Sequence, residues 1–252
     1  MTDTTTLVGA IPPITRTEAH DIAAAENLRV LDQLRSLDTD DWSKPTDCPA
    51  WDVRALSGHV LGGMETFTSL ARFAHTMRGA SREASDGAFV DAMTAIQVRE
   101  RSDLSIDQLI QRLAEAGPRS ARWRSRVPFP FRRIPMKEEV AGVEETWRMG
   151  YLLDIILTRD TWMHRVDIAR ATSRDLTLSP EHDGRIVADA VAEWARRLGR
   201  PFTLELTGPA GGAFATEGDG EGKDLTFDAI EFCRLLSGRG AGGSVLDTEV
   251  PF

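Results

Sequence analysis

Leu153–Arg170 reads LDIILTRDTWMHRVDIAR, and its periodicity decides what kind of molecule this is. At about 100° per residue, Leu153, Ile156 and Leu157 share one helical face, the apolar stripe of a core-facing helix. Continued along the helix, that stripe meets Asp160, His164 and Asp167, which lie within about 60° of arc. A hydrophobic face therefore turns ionisable midway. Burying unpaired charge is expensive, so something must compensate it. A carboxylate and an imidazole one turn apart are spaced to grip one metal ion. A satisfied Asp–His pair in the core, or a helix end lined by solvent, accounts for the same pattern.

The ligand this pair lacks is available on a second helix. Trp51-Asp52 opens it, with Asp52 placed as N-cap, and Ala55, Leu56, Gly63, Thr66 and Leu70 share a face with His59. A lone histidine on such a face is commonly a core residue; here it interrupts an apolar stripe just as Asp160 and His164 do. Gly62-Gly63 costs this helix stability, roughly 1 kcal/mol per glycine relative to alanine. Close packing, a kink, or room above a bound ion would each account for it. His75 falls about 160° round from His59 on a continuous helix and is not counted as a ligand.

Outward from these two helices the chain reads as mostly α. Met1–Ile14 is read as a tail. Thr15 and Glu18 have capping-box spacing for a helix to about Leu37. Arg78–Gly87 reads as a break, Ala88–Arg101 as a short helix, and Ser105 with Gln108 as the start of another running towards Trp123. Arg119–Arg133 holds six arginines interleaved with Trp123, Phe129 and Phe131. Its prolines make the later half a non-helical loop. It is a solvated loop or a lid that meets an anionic small molecule; single-strand binding is the third possibility. Glu138–Thr172 is expected as one long helix. After Thr172 the texture changes. Ser179-Pro180 starts a helix to about Leu198, Phe202–Leu206 alternates as a strand, and Gly208–Gly222 reads as a hairpin with a loose turn. Asp224–Phe227 is a short strand, Asp228–Ser237 a helix, and Val245–Val250 a last strand. The expected division is a helical bundle over 1–174 and a small α/β domain over 175–252.

Composition narrows the function. The 252 residues carry 41% hydrophobic side chains and a net charge of −9, against general binding to nucleic acid or anionic membranes. Cys48 and Cys233 do not make a disulfide scaffold. No signal-peptide pattern and no apolar run of membrane-span length are present. A soluble cytoplasmic protein, monomer or homodimer, is expected.

The order of motifs resembles a known family. Leu34, Asp41-Trp42, Thr46-Asp47-Cys48-Pro49-Ala50-Trp51-Asp52-Val53-Arg54 and His59 are followed by Arg159-Asp160, Trp162, His164, Asp167 and Arg170, then by Ser237-Gly238-Arg239. This is similar to the mycothiol-dependent maleylpyruvate isomerases, whose metal-binding domain is a DinB-like four-helix bundle. The resemblance implies a divalent metal, zinc first in expectation, held by His59, Asp160 and His164, with mycothiol as a cofactor. It places Asp167 behind a ligand, with an ion pair to Arg170 or Arg165 as the other reading. It makes Arg239 a catalytic candidate that reaches carboxylates of the substrate or the thiol; otherwise Arg239 is an ordinary helix-end arginine. The family's usual acid at position 160 is Glu, one methylene longer. Three protein ligands leave a position open on zinc. A thiol bound there becomes a thiolate, adding to an electrophilic carbon as an isomerase or an S-transferase does. Metal-assisted hydrolysis, or a non-catalytic metal- and small-molecule-binding stress-response module, are the alternatives. Cys48 and Cys233 are read as structural.

Overall fold

The computed structural model describes residues 5–84, 89–217, 222–240, 246 and 248–252. Two compact units divide them. One comprises Arg16–Ile134 and Met149–Asp175; the other comprises Met1–Thr15, Pro135–Arg148 and Leu176–Phe252.

The first unit is helical. Among its described residues it contains α1 (Arg16–Arg35), α2 (Val53–Thr66), α3 (Leu70–Glu83), α4 (Phe89–Arg99), α5 (Ile106–Arg126) and the short α6 (Phe129–Arg132). A helical turn, α7 (Met149–Tyr151), then runs through a π-helical segment, Leu152–Ile156, into α8 (Leu157–Thr172). α1, α2, α5 and α8 form a four-helix bundle, and α3 and α4 pack beside α2. Leu31 and Leu34 of α1, Leu56 and Leu61 of α2, Leu113 of α5 and Ile168 of α8 close its core. Local chemistry sets the helix starts. The Asp52 carboxylate accepts from the Ala55 N–H, and Ser105 and Gln108 exchange the two bonds of a capping box.

Several expectations are corrected here. α2 ends at Thr66, and Ser69 caps a separate α3 that runs to Glu83 through part of the expected break. Residues 85–88 of that break lie outside the described residues. Pro118 is accommodated inside α5, and Phe129–Arg132 is a helical turn with Pro130 in its first turn, where the missing N–H does no harm. The expected helix from Glu138 begins only at Met149. Pro135–Val140 (β2) and Val143–Arg148 (β3) form an antiparallel hairpin instead. Ala141 and Gly142 turn it with positive φ of 51° and 76°, the conformation that a two-residue turn between twisted strands requires.

The second unit is α/β. Phe202–Thr207 (β4), Gly212–Ala215 (β5) and Lys223–Asp228 (β6) join Thr6–Leu7 (β1) in a sheet of order β1-β5-β4-β6. β4 is antiparallel to β5 and parallel to β6. Thr6–Leu7, expected in a tail, is thus an edge strand, parallel to β5. β4 alternates buried Phe202, Leu204 and Leu206 with exposed residues, and α9 (Arg185–Leu198) and α10 (Ala229–Leu236) supply Trp194 and Phe232 to cover it. Their ring centroids are 5.3 Å apart, and Trp194 stands 4.7 Å from Phe202. Before α9 the chain makes a π-helical turn, Pro180–Gly184, whose start is capped by Asp183 reaching back to the Ser179 N–H. The described part of Val245–Val250 forms no strand, and residues 245 and 247 of that stretch lie outside the described residues. No helix among the described residues is long and apolar enough to cross a membrane.

Candidate functional site

The bundle brings His59 of α2 to Asp160 and His164 of α8. Nε2 of His164 lies 3.3 Å from Oδ1 of Asp160, and Nε2 of His59 lies 3.7 Å from the same oxygen. The two imidazole centroids are 5.0 Å apart with planes at 89°. One ligand atom from each of the three residues lies within 4.8 Å of the others. Both histidines are buried, while the Asp160 side chain keeps 31% of its surface exposed. The cluster therefore sits at an opening of the unit.

Burial disfavours charge on Asp160 and His164 alike, yet each meets the opposite charge of the other, and this wins. The imidazolium of His164, with hydrogen bonds from both histidines, holds Asp160 well below the usual carboxylate range. The Asp160 carboxylate, helped by Asp167 and Cys48, holds His164 well above the usual imidazole range. The geometry favours positive charge at the point where the three side chains meet.

Asp167, fully buried, accepts from Nδ1 of His164 through Oδ2 at 3.0 Å. Arg165 donates to the buried Glu26 at 2.7 Å, and Arg170 pairs with Asp47 at 3.2 Å. A carboxylate on one nitrogen of an imidazole fixes the ring, and an ion at the other nitrogen would take the place of that nitrogen's proton. Two imidazoles and a carboxylate are a donor set that suits zinc and similar divalent ions. The residues present thus fit a metal. Asp160, one methylene shorter than Glu, still brings Oδ1 within 3.3 Å and 3.7 Å of the two Nε2 atoms.

The loop before α2 completes the surroundings. Oγ1 of Thr46 donates to the Trp51 carbonyl at 2.8 Å and accepts from the Cys48 N–H at 3.2 Å, and the Trp51 N–H returns to the Cys48 carbonyl at 2.9 Å. This closed turn lays Trp51 on His59, centroids 4.9 Å apart and planes 26° from parallel. Cys48 points its thiol at Oδ2 of Asp167, 3.7 Å away. Cys48, His164 and Asp167 also satisfy the spacing for a three-ligand group. Cys48 and Trp51 were visible in the sequence as motif residues, but no helical periodicity carries a loop residue onto a helix face, so their contacts were not legible.

Of the remaining candidates, His75 does not belong to this cluster: it pairs with Glu100 at 2.7 Å on the surface of α3. Arg239 belongs to the α/β unit, where its guanidinium donates to Ser237 Oγ at 3.1 Å just beyond α10. The arginine-rich stretch is corrected in part. Arg124 is buried and donates to the Leu153 carbonyl and to Thr158 Oγ1, both at 2.7 Å, and Arg132 is buried and bonds Asp154. These two arginines brace the π-helical turn that leads into α8. Burial pulls Arg124 down to about 10.

Comparison with known proteins bears on the family and the fold. Two uncharacterised proteins of Mycobacterium tuberculosis, from strains CDC 1551 and H37Rv, are each 25% identical to the chain over 217 residues, covering 81% of it and 79% of their own length. Among solved structures, mycothiol-dependent maleylpyruvate isomerase superposes with a TM-score of 0.55 at 17% identity, covering 94% of both chains. A histidine-to-alanine mutant of that isomerase gives 0.56 at 15% identity, with the same coverage. At such identities the likeness speaks for the fold. The family model of the mycothiol maleylpyruvate isomerase N-terminal domain matches residues 23–169, which hold all three residues of the cluster, and the chain belongs to that family.

Proposed function

We propose that this protein is a metal-dependent enzyme that uses mycothiol as a nucleophile towards an electrophilic small molecule, as an isomerase or an S-transferase. The convergence of His59, Asp160 and His164 on one point, in a bundle of this family, is the observation that supports it most. In this reading the two Nε2 atoms and the Asp160 carboxylate hold a divalent ion, zinc by preference. Bound there, the ion would lower the pKa of an incoming thiol and hold the thiolate, the reactive form. Asp167 keeps the His164 proton on Nδ1, so that Nε2 faces the ion. Trp51 limits rotation of the His59 ring by stacking on it. The exposed part of Asp160 gives a small molecule access. Arg239 is proposed as a residue that binds a carboxylate of substrate or thiol.

The test is turnover of maleylpyruvate, and of simple electrophiles, by metal-loaded protein with mycothiol. An isomerase converts substrate and leaves the thiol concentration unchanged; an S-transferase consumes one thiol per product. Either outcome, lost in His164→Ala, supports the proposal. Turnover at the same rate without thiol overturns the proposal, and where the product is hydrolysed it replaces it with metal-assisted hydrolysis.

A further inference from the structure

Two adjacent glycines follow His59 on α2 by about one turn, and packing explains only the first. A Cβ on Gly62 would lie 2.5 Å from the Cβ of Gln97, so the approach of α4 requires glycine there. At Gly63 no atom of the described residues comes within 4 Å of a Cβ. Glycine in a helix interior lowers stability relative to alanine. Gly63 therefore carries a cost that close packing does not account for.

Its direction adds to the puzzle. Gly63 lies about 40° round the helix from His59 and about 40° from Phe67. Leu56, His59, Val60 and Phe67, which share this face, are all buried. The position lies on a face whose other residues are buried, yet at Gly63 itself space is left open and the glycine is partly exposed. One turn earlier on the same face stands His59, 3.7 Å from Asp160. One turn later stands Phe67, packed in an apolar cluster with Leu153 and Leu157. The open space at Gly63 thus lies on a face with an ionisable cluster one turn earlier and an apolar one a turn later.

We propose that Gly63 is a specificity-determining position: its missing side chain leaves the space for the body of a ligand whose donor atom meets the His59–Asp160–His164 cluster. The ligand class is a molecule with a metal-binding head and a bulky body with apolar surface. The inference rests on the proposed metal site, and it is separable from the choice of mycothiol.

Gly63→Ala and Gly63→Leu test it in cobalt-loaded protein, with imidazole as a small probe, 4-phenylimidazole as a bulky one, and mycothiol as a third. Gly63→Ala should raise the melting temperature by about 1–4 °C, since alanine favours the helix and meets no neighbour. Gly63→Leu should keep one cobalt per chain and bind imidazole within about twofold of wild type, but lose at least about tenfold in affinity for 4-phenylimidazole. Should the leucine variant not fold, Gly63→Ala repeats the comparison, with a loss for the bulky probe alone. A lower melting temperature for Gly63→Ala, equal 4-phenylimidazole affinity in wild type and variants, or a wild type that binds neither imidazole overturns the proposal. Wild type that takes 4-phenylimidazole but not mycothiol removes the thiol reading and leaves the role of Gly63 standing. Mycothiol binding unchanged in Gly63→Leu does the reverse.

Discussion

At the scale of single residues, the buried Asp167 decides how His164 can act. A carboxylate 3.0 Å from Nδ1 holds the ring in one orientation, and the neighbouring Cys48 thiol approaches the same oxygen. Replacing Asp167 by alanine removes that constraint while leaving all three proposed ligands in place. Metal affinity should fall by about 10–100-fold, the usual cost of losing a hydrogen-bond partner behind a ligand histidine. Competition against a chelator of known affinity measures it; an unchanged dissociation constant would deny Asp167 this role. The sequence made the one-face arrangement of Asp160, His164 and Asp167 legible, because helical periodicity is a local property. It left the partner of Asp167 open between His164, Arg165 and Arg170, because the approach of His164 Nδ1, and the pairing of Arg165 with Glu26 and of Arg170 with Asp47, depend on side-chain rotamers and on elements far apart in sequence.

At the scale of elements, α8 is held in place by charged groups as well as by its apolar stripe. Arg165 meets Glu26 of α1 at 2.7 Å, with both side chains almost wholly buried. Glu26→Ala takes a counter-charge and its hydrogen bonds from a buried guanidinium and should cost about 1.5–3 kcal/mol, read as a lower denaturant midpoint at unchanged slope. A loss below about 1 kcal/mol would show the pair to be dispensable. The π-helical turn at Leu152–Ile156 has a comparable support in Arg124, which binds the Leu153 carbonyl and Thr158. Such turns recur where a helix must present functional side chains, and here one directly precedes Asp160. It was not legible, since a π turn differs from an α turn by one residue in hydrogen-bond register and leaves no compositional mark. The β2–β3 hairpin was missed for a different reason. Glu138–Arg148 is rich in charge and its turn is Ala141-Gly142, so neither a period-two pattern nor a strong turn dipeptide announced it. Capping was read correctly at Asp52 and Ser105 because a cap depends on residues only three apart.

At the scale of the whole molecule, the helical class and the bundle were legible from periodicity and motif order, and the two-unit organisation follows less simply from chain order. Thr6–Leu7 groups with the segment after Asp175 through its pairing with β5, and the β2–β3 hairpin, a separate sheet, is joined to it by the ion pair of Glu145 with Arg197 at 2.5 Å. The end of the bundle is tied by Asp41, which meets Lys44 at 2.8 Å and Arg174 at 2.6 Å. Lys44, the Asp38 N–H and Arg174 together outweigh desolvation and bring Asp41 to about 2. A folded-state pKa below the unfolded value near about 3.9 contributes stability that is present above about pH 4 and lost as pH falls towards about 2. Asp41→Asn should therefore lower stability at neutral pH and flatten the acid limb of the pH–stability curve between about pH 4 and 2. An acid limb of unchanged slope would contradict this. The central claim is that side chains from α2 and α8 hold one ion together, and the most direct measurement is metal content of the purified protein and of its His59→Ala and His164→Ala variants after equilibration with zinc. The account predicts one zinc per wild-type chain and loss of tight binding in each variant alone; a His59→Ala protein that keeps a full equivalent at wild-type affinity would contradict it.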